Sequence, residues 1–322
     1  MKRVYITYKI PDLCSQLLRK RGFDVDVNDN NNNLTKSELV EIFSKYNAVL
    51  CMMTDKVDEE VIDAASGNLK IIANYAVGFD NIDVLYAKKH GIVVANTPGV
   101  AGESVAEHTF MLILACAKKV IEADKFVRRG KYHRWDPLAF LTPQIWGKTI
   151  GIVGLGRIGT YVGHIAYGGF KMNILYYDVV RSEDFEMLTE AKYVSLDRLL
   201  SAADVITIHV PLLATTKHLI GKRELSMMRE SAILINTERG PVVDEKALIW
   251  ALLEKKIAAA GLDVYENEPT VPYGLKTLGN VVLTPHIASA TIETREAMAK
   301  ITAENIIAVF EGKNPPGLVN VS

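Results

Sequence analysis

The chain of 322 residues is long enough for about two domains of roughly 100–200 residues each. Its 49% hydrophobic and 23% charged residues are typical of a globular protein. A formal net charge of −1 provides no basic field to attract nucleic acids or anionic membranes, so neither is expected as a partner.

The cysteines and the apolar stretches narrow the class of protein further. Cys14, Cys51 and Cys116 are far apart and form no CxxC pair, so we predict neither a disulfide framework nor a metal site. The N-terminus begins directly in a strand-like pattern, without the features of a secretory signal. The longest apolar stretch, 110–117, is too short to span a bilayer. We therefore expect a cytoplasmic protein.

Short β-branched runs alternate with helical patterns along the whole chain. Strands are predicted at 4–8, 24–27, 48–53, 71–77, 92–97, 149–154, 173–178, 204–210, 232–237, 258–264 and 281–285. Several runs are apolar without a period of two, which is typical of parallel strands buried on both faces. Alternating strands and helices predict an α/β fold with two doubly wound parallel sheets and a cleft between the two domains.

Breaks in the pattern indicate where the domains meet. Pro98 and Gly99 interrupt the chain before one long predicted helix over 103–129, and a final helix begins after "TPHIASAT". We predict a discontinuous first domain, 1–98 plus 289–322, with 99–288 inserted as the second. The apolar part of the long helix, 104–120, indicates either a dimer contact or a helix buried within one subunit. The polar stretch 28–38 is predicted to be a solvated loop.

A glycine pattern lies between a predicted strand and a predicted helix. It consists of Gly154, Leu155, Gly156, Arg157, Ile158 and Gly159. Gly154 can make a tight turn, Gly156 lets the backbone approach a pyrophosphate, and Gly159 lets the helix pack closely on the sheet. The helix N-terminus offers N–H groups to the phosphates. This context predicts a dinucleotide site, the alternative being an ordinary strand–helix turn.

An acidic residue ends the next predicted strand. Asp178 can accept hydrogen bonds from the adenosine ribose hydroxyls and repels a 2′-phosphate, which favours NAD over NADP. Arg181 follows three residues later and can attract a phosphate, so NADP stays possible.

Three later strands end in groups of complementary chemistry. Arg239 follows the strand 232–237, Glu268 follows 258–264 and His286 follows 281–285. Ligands bind beyond the carboxyl ends of strands in doubly wound sheets. A guanidinium binds a carboxylate in bidentate fashion, and an imidazole beside a carboxylate gives and takes a proton near neutral pH. Taken alone, Arg239 would be interpreted as part of a surface ion pair, His286 as a structural histidine and Glu268 as a loop charge. Together they indicate hydride transfer to and from a 2-keto acid.

The sequence as a whole resembles the D-isomer-specific 2-hydroxyacid dehydrogenases, most closely the glyoxylate and hydroxypyruvate reductases. The matching segments are "ANYAVGFDNID" (73–83), "NTPGV" (96–100), "ESVAEH" (103–108), "GKTIGIVGLGRIG" (147–159), "INTERGPVVDEKAL" (235–248), "GLDVYENEP" (261–269) and "LTPHIASAT" (283–291). The resemblance implies a flavodoxin-like substrate domain, a Rossmann dinucleotide-binding domain and a homodimer.

The resemblance also implies a role for each matching position. Arg239 would bind the substrate carboxylate, His286 would be the acid/base, and Glu268 its partner. The other implied contacts are backbone N–H groups of Val77 and Gly78 to the substrate carboxylate, Leu155 to Ile158 to the pyrophosphate, Asp178 to the ribose, Pro211 and Thr216 along the adenosine, and Thr237, Asp263 and Val105 near the nicotinamide, where His286 also lies.

Two departures from the family pattern bear on the substrate. Glu238 stands where the family usually has a small residue, and it can pair with Arg239 or point to solvent. Asn74 stands where similar phosphoglycerate dehydrogenases tend to have Arg, which argues against a phosphorylated substrate. The expected reaction is reduction of glyoxylate or hydroxypyruvate with NAD(P)H. The alternatives are a sister dehydrogenase for phosphoglycerate, lactate or a sugar acid, and an NAD-dependent corepressor-like binding protein.

Overall fold

A computed structural model describes residues 1–30, 32–65 and 67–320. The chain divides into two compact units. The first unit is Met1–Ala101 with Ala290–Ser322, and the second unit is Gly102–Ser289. Among the described residues, no helix has both the length and the apolar character needed to cross a bilayer.

The first unit contains a parallel sheet. Within the described residues its strands are β1 (Arg3–Ile6), β2 (Asp24–Val27), β3 (Ala48–Cys51), β4 (Ile71–Asn74) and β5 (Val93–Ala95). Its helices are α1 (Leu13–Lys20), α2 (Lys36–Lys45), α3 (Glu59–Asp63), α4 (Val84–Lys89) and α13 (Ile292–Phe310). The strand order β2-β1-β3-β4-β5 is the flavodoxin-like order. Helices α1 and α13 pack on one face and α2, α3 and α4 on the other, so β3 and β4 are buried along their whole length.

The second unit contains a larger parallel sheet. Within the described residues its strands are β6 (Thr149–Val153), β7 (Asn173–Tyr177), β8 (Lys192–Tyr193), β9 (Val205–Ile208), β10 (Ile233–Asn236), β11 (Ala259–Leu262) and β12 (Val281–Leu283). Its helices are α5 (Gly102–Lys118), α6 (Val120–Arg128), α7 (Arg157–Phe170), α8 (Glu183–Thr189), α9 (Leu196–Ala202), α10 (Lys222–Met227), α11 (Glu245–Leu253) and α12 (Tyr273–Thr277). The order β12-β11-β10-β9-β6-β7-β8 is the dinucleotide-binding order with one added edge strand. The predicted α/β class with two parallel sheets is confirmed.

The predicted single helix over 103–129 is wrong. Lys119 has φ 51°, in the left-handed region, and a residue in that conformation cannot continue a right-handed helix. The chain therefore forms α5 and α6 on either side of Lys119. The described residues of α6 include no buried one, whereas α5 is mostly buried.

The apolar face of α5 belongs to the core of its own unit. Leu112 and Ile113 are fully buried and cluster with Ile150 and Ile152 of β6. A Cβ on Gly261 of β11 would lie 3.0 Å from Leu112 Cβ, so the helix lies directly on the sheet. Burial within one subunit accounts for most apolar residues of α5, and the dimer contact at 104–120 stays a prediction.

The polar stretch 28–38 is mostly exposed among its described residues, as its composition predicts, but it is not loop throughout. Asn28 is buried, and its Nδ2 donates to Thr7 O at 3.0 Å. Thr35 and Glu38 form a capping box, so α2 begins at Lys36, inside the predicted loop. Asn31 lies outside the described residues.

Candidate active site

The predicted cofactor and acid/base residues of the second unit follow neighbouring strands at one edge of its sheet. Across that edge the loops occur in the order of the strands: His286 after β12, Glu268 after β11, Arg239 after β10, Pro211 after β9, and the glycine loop after β6. Asp178 follows β7, three strands from β10, which is about 14 Å at roughly 4.8 Å per strand. Along the carboxyl ends of these strands, the predicted acid/base residues therefore lie on one side, after β10 to β12, and the glycine loop lies on the other, after β6.

The turn that carries Arg239 is held against the next loop of the sheet. Asn236 ends β10 and fixes the turn, because its Nδ2 donates to Arg239 O at 2.9 Å and its Oδ1 accepts from Glu238 N at 3.0 Å. A Cβ on Gly240 would lie 1.9 Å from the carbonyl carbon of Tyr265. Only glycine permits that approach, so the sequence Arg-Gly brings the Arg239 turn next to the segment leading to Glu268.

Two glutamates join the same loops reciprocally. Glu245 Oε1 accepts from Glu266 N at 2.9 Å, and Glu266 Oε1 accepts from Glu245 N at 3.2 Å. His218 Nε2 lies 2.8 Å from Glu266 Oε1, and His218 N donates to Pro241 O. Burial raises the pKa of Glu245, and the charges of Glu266 and Glu268 act in the same direction. The loops after β9, β10 and β11 are thus fixed to one another.

His286 and Glu268 form the acid/base pair that the sequence indicates. His286 Nδ1 lies 2.7 Å from Glu268 Oε2, and Glu268 Oε1 accepts from Tyr265 N at 2.9 Å. Both side chains are partly exposed. Because Nδ1 is directed to the carboxylate, Nε2 is the nitrogen left for a substrate. His286 has φ 53°, and an ordered loop holds it in this left-handed conformation.

Asp263 organises the loop that carries His286. Its carboxylate is fully buried and accepts from Thr284 Oγ1 at 2.6 Å and from the amides of Ile287 and Ala288 at 2.9 and 2.8 Å. Its carbonyl accepts from His286 N at 2.9 Å. His108 Nε2 lies 3.0 Å from Thr284 Oγ1 and 3.4 Å from Asp263 Oδ1.

The shift in the pKa of Asp263 reflects these contacts. Burial alone would raise the pKa, but the hydrogen bonds from His108, Thr284 and the two amides outweigh it, so the pKa is lowered. With its oxygens bonded inside the protein, Asp263 supports the His286 loop. Its implied place near the nicotinamide stays a prediction.

The glycine loop passes a steric test for a phosphate cradle. Gly154 has φ +97°, and a Cβ there would lie 2.7 Å from the His209 carbonyl group. A Cβ on Gly159 would lie 2.2 Å from Gly154 O. Nothing lies within 4 Å of the Cβ position at Gly156, which leaves open space above the loop. The first intrahelical bond of α7 is from Thr160 N to Gly156 O, so the amides before it point toward that space. These features fit a dinucleotide pyrophosphate.

Asp178 lies beside this loop, with a role the sequence did not reveal. Its Oδ2 accepts from Leu155 N at 2.6 Å and its Oδ1 from Val180 N at 3.2 Å. The Leu155 amide is therefore committed to Asp178, which leaves Gly156, Arg157 and Ile158 as the phosphate-facing part of the predicted cradle. Asp178 also lines an adjoining pocket of about 680 Å³.

The remaining predicted cofactor residues make hydrogen bonds within the protein or are buried near the carboxyl ends of the strands. Thr109 Oγ1 donates to Val105 O at 2.8 Å and lies 3.0 Å from Thr237 Oγ1, so the Thr237 hydroxyl donates to Thr109. Val105 and Thr237 are both buried beneath the edge. Thr216 Oγ1 donates to Pro211 O at 2.6 Å, closing the loop after β9. Thr216 thus uses its hydroxyl to fold its own loop.

In the first unit, the Val77–Gly78 segment forms a turn held by two buried asparagines. Asn74 Nδ2 donates to Gly78 O at 2.8 Å, and Asn96 Nδ2 donates to Val77 O at 2.7 Å. Within the described part of the chain, the amides of Val77 and Gly78 donate no hydrogen bond. The fully buried Asn74 thus holds this turn.

Sequence reasoning missed two histidines in the second unit, one partly buried and one buried. His108 was only part of a family segment, yet it contacts the loop of His286. His209 is buried with Nε2 2.9 Å from Thr207 Oγ1, and burial lowers its pKa to about 3, so its ring is neutral. A polar residue directly after a fully apolar strand, as in "VITIHVP", was the available signal.

Comparisons with known proteins agree with this geometry. The sequence model of the D-isomer specific 2-hydroxyacid dehydrogenase NAD-binding domain matches residues 110–288. A glyoxylate reductase from Korarchaeum cryptofilum is 47% identical over 99% of this chain and 96% of its own length. The chain belongs to the D-isomer-specific 2-hydroxyacid dehydrogenase family. It is accordingly an NAD(P)-dependent oxidoreductase that interconverts 2-keto and 2-hydroxy acids.

Solved structures support the same family. A Thermus thermophilus protein superposes with a TM-score of 0.93 at 39% identity, covering 99% of this chain and 100% of that one. An NADPH-dependent glyoxylate/hydroxypyruvate reductase from Sinorhizobium meliloti, in complex with NADP and malonate, superposes with a TM-score of 0.87 at 31% identity, covering 99% and 96%.

Proposed function

We propose that this dehydrogenase reduces glyoxylate to glycolate with NADH, and reduces hydroxypyruvate, a close second substrate, to the D-2-hydroxyacid. The observation that carries the proposal is the 2.7 Å pair of His286 and Glu268 on loops bonded to the turn of Arg239, along the same sheet edge as the glycine loop. The Korarchaeum relative, 47% identical over nearly the whole chain, bears the name glyoxylate reductase.

Each of the three residues is assigned the step that its functional group can perform. The guanidinium of Arg239 binds the substrate carboxylate and polarises the keto oxygen. Protonated His286 donates from Nε2 to that oxygen, while Glu268 holds the imidazolium in position through Nδ1. When bound, the reduced nicotinamide supplies the hydride that C2 receives. The proton and the hydride together convert the keto group to the hydroxyl group.

The turn at Val77 and Gly78 is proposed to bind the substrate carboxylate through its backbone. Two consecutive amides without an acceptor in the described chain are a typical anion site. Asn74 and Asn96 hold their carbonyls, which keeps the amides aligned. The position that carries Arg in similar phosphoglycerate dehydrogenases is Asn74 here, so unphosphorylated substrates are favoured.

The cofactor preference is proposed to be NADH over NADPH. Asp178 stands at the end of β7, next to the glycine loop, and its carboxylate repels a 2′-phosphate. The contacts proposed for the bound dinucleotide are the amides of Gly156, Arg157 and Ile158 at the pyrophosphate, Asp178 at the ribose, Pro211 and Thr216 along the adenosine, and Val105, Thr237, Asp263 and His286 near the nicotinamide.

We also propose that the protein is a homodimer in the cytoplasm. The segment 120–146 exposes many apolar side chains, and a large exposed apolar patch often marks a protein–protein contact. They include Val127, Tyr132, Trp135, Leu138, Leu141 and Trp146, each more than half exposed. A second copy is the proposed occupant, because two-fold pairing is the commonest way to cover such a face. The free thiols of Cys14, Cys51 and Cys116 fit a reducing compartment.

The dimer is tested by sedimentation of the protein over a range of concentrations. We expect a dimer in the wild type and a shift to monomer when Trp135 and Leu138 are both replaced by Ser. Leu85→Ser, at an exposed apolar residue of the first unit, is the control and should stay dimeric. A wild-type monomer at every concentration, or a double variant that stays dimeric, contradicts this assignment.

The activity is tested by following NADH oxidation with a panel of 2-keto acids. We expect kcat/KM to be highest for glyoxylate, followed by hydroxypyruvate, and lower for pyruvate and for phosphohydroxypyruvate. A preference for the phosphorylated substrate would overturn the substrate assignment. Binding of NADH without oxidation by any 2-keto acid would favour a binding protein.

A further inference from the structure

The pocket next to Asp178 is acidic, yet it contains one arginine. Its lining includes Asp178, Glu183 and Asp184 together with Arg181 and the phosphate-loop residue Gly156. Arg181 is the only cationic group among the described residues that line it. A 2′-phosphate on the adenosine ribose would need that arginine, since the other charges of the pocket repel it.

Arg181 is already bound by another side chain. Its Nε donates to Glu186 Oε1 at 2.9 Å, and its Nη2 donates to Glu186 Oε2 at 2.7 Å. This is the bidentate geometry in which an arginine recognises a carboxylate, and it uses two of the five N–H donors that Arg181 could otherwise offer to a phosphate. The Arg181 side chain is 55% exposed, whereas that of Glu186 is only 17% exposed.

Glu186 is in turn anchored to the sheet. Tyr176 on β7 is fully buried, and its hydroxyl donates to Glu186 Oε1 at 2.6 Å while accepting from Ser182 N at 2.9 Å. The hydrogen bonds from Arg181 and then Tyr176 lower the pKa of Glu186 to about 2, so it is ionised at any working pH. An exposed ion pair of ordinary geometry contributes little, but this one has a bidentate fork and a buried support.

We propose that Glu186 is a specificity-determining residue, which holds Arg181 away from the ribose and so makes the pocket reject a 2′-phosphate. The inference rests on the proposed NADH-dependent function and deepens it. Asp178 repels the phosphate directly, whereas Glu186 holds back Arg181, the cation among the described lining residues that would offset this repulsion. The preference for NADH thus depends on two acids, of which only Asp178 stands at the usual position.

The test measures binding of NADPH and NADH to the whole protein by titration calorimetry, without substrate. Glu186→Gln keeps an acceptor for Tyr176 but loses the ion pair with Arg181. We expect it to tighten NADPH binding by about tenfold, the effect of one charge-assisted hydrogen bond, and to change NADH binding by less than about twofold. Adding Arg181→Ala to Glu186→Gln should abolish the gain.

Two further variants separate this effect from general charge. Arg181→Ala alone should leave NADPH binding unchanged, because in the wild type the arginine is held by Glu186. Asp184→Asn removes one acid from the same pocket, and any gain in NADPH binding there should persist when Arg181 is absent. If Glu186→Gln leaves the ratio of NADPH to NADH affinity unchanged, or if its gain survives Arg181→Ala, the inference is overturned.

These outcomes are distinct from failure of the proposed function. If no variant binds either dinucleotide, the cofactor site itself has been misassigned. If NADH binds and reduces glyoxylate but the Glu186 variants behave as the wild type, only the proposed role of Glu186 in specificity is rejected.

Discussion

The two ends of the strand edge in the second unit hold their charged side chains in different ways. At the β10–β12 end, the buried acids Glu245 and Asp263 accept hydrogen bonds from backbone amides of neighbouring loops. At the β6–β7 end, Arg181 and Glu186 form a partly exposed ion pair beside an open pocket. The acid/base end is thereby rigid, since breaking a buried charge–amide bond is costly, whereas the end proposed to select the dinucleotide relies on an ion pair whose arginine is open to solvent.

The largest predicted effect at the rigid end comes from Arg239. Arg239→Ala should lower kcat/KM for glyoxylate by roughly 10²–10⁴, because two charge-assisted hydrogen bonds of about 1.5–3 kcal/mol each are lost. Arg239→Lys keeps the positive charge but loses the bidentate geometry, so its kcat/KM should lie between that of the wild type and that of Arg239→Ala. The affinity for NADH, measured by fluorescence titration, should stay within about twofold. An Ala variant with wild-type kcat/KM would remove Arg239 from the mechanism.

A smaller effect is expected from Asp263, which supports the chemistry without contacting substrate. Asp263→Asn places an NH₂ group where the carboxylate accepts from Ile287 N or Ala288 N, so the His286 loop loosens. We expect kcat to fall by about 10–100-fold, on the scale of about 1–3 kcal/mol for a lost buried hydrogen bond. Amide hydrogen exchange at Ile287 and Ala288 should accelerate. Asp197→Asn, on the exposed ion pair with Arg223, is the matched control. Unchanged exchange would contradict the supporting role.

The smallest effect concerns the acid dependence of stability, where Glu245 and Asp263 act in opposite directions. The lowered pKa of Asp263 adds stability above the unfolded pKa of an aspartate, and this stability is lost as the pH falls through the folded pKa. The raised pKa of Glu245 makes the protein lose stability as the pH rises from the unfolded pKa through the folded one.

Urea unfolding between pH 4 and 7 distinguishes the two acids. Glu245→Gln should remove the loss, so the variant gains stability relative to the wild type as the pH rises. If the difference in unfolding free energy between Glu245→Gln and the wild type stays constant with pH, or changes in the opposite direction, the raised pKa of Glu245 is contradicted.

Much of the fold and of the acid/base end could be predicted from the sequence. Apolar runs such as 232–237 identify buried parallel strands, and a polar residue just after such a run, such as Arg239 or His286, marks the ligand-binding edge. The glycine spacing is informative because the Cβ atoms at Gly154 and Gly159 would collide with backbone. Apolar runs, the polar residues that follow them and the glycine spacing each lie within a few consecutive residues, so they can be recognised in the sequence itself.

What the sequence did not reveal depends on the backbone conformation of single residues and on which side chains pair. The break at Lys119 required a left-handed residue that composition does not predict. The pairing of Arg181 with Glu186 requires the loop after β7 to turn back on α8, and Tyr176 to lie beneath it. The function of Asp263 is similarly set by three partners from 284–288 and one from α5. A charge near a site is visible in sequence, but its partner is not.

The most direct test of the account is the single-turnover oxidation of bound NADH by saturating glyoxylate, compared between the wild type and His286→Ala. If His286 donates the proton from the pair with Glu268, the variant should bind NADH normally and react roughly 10²–10⁴ times more slowly. If it reacts as fast as the wild type, the proton has another source and the proposed acid/base pair is not the catalytic one.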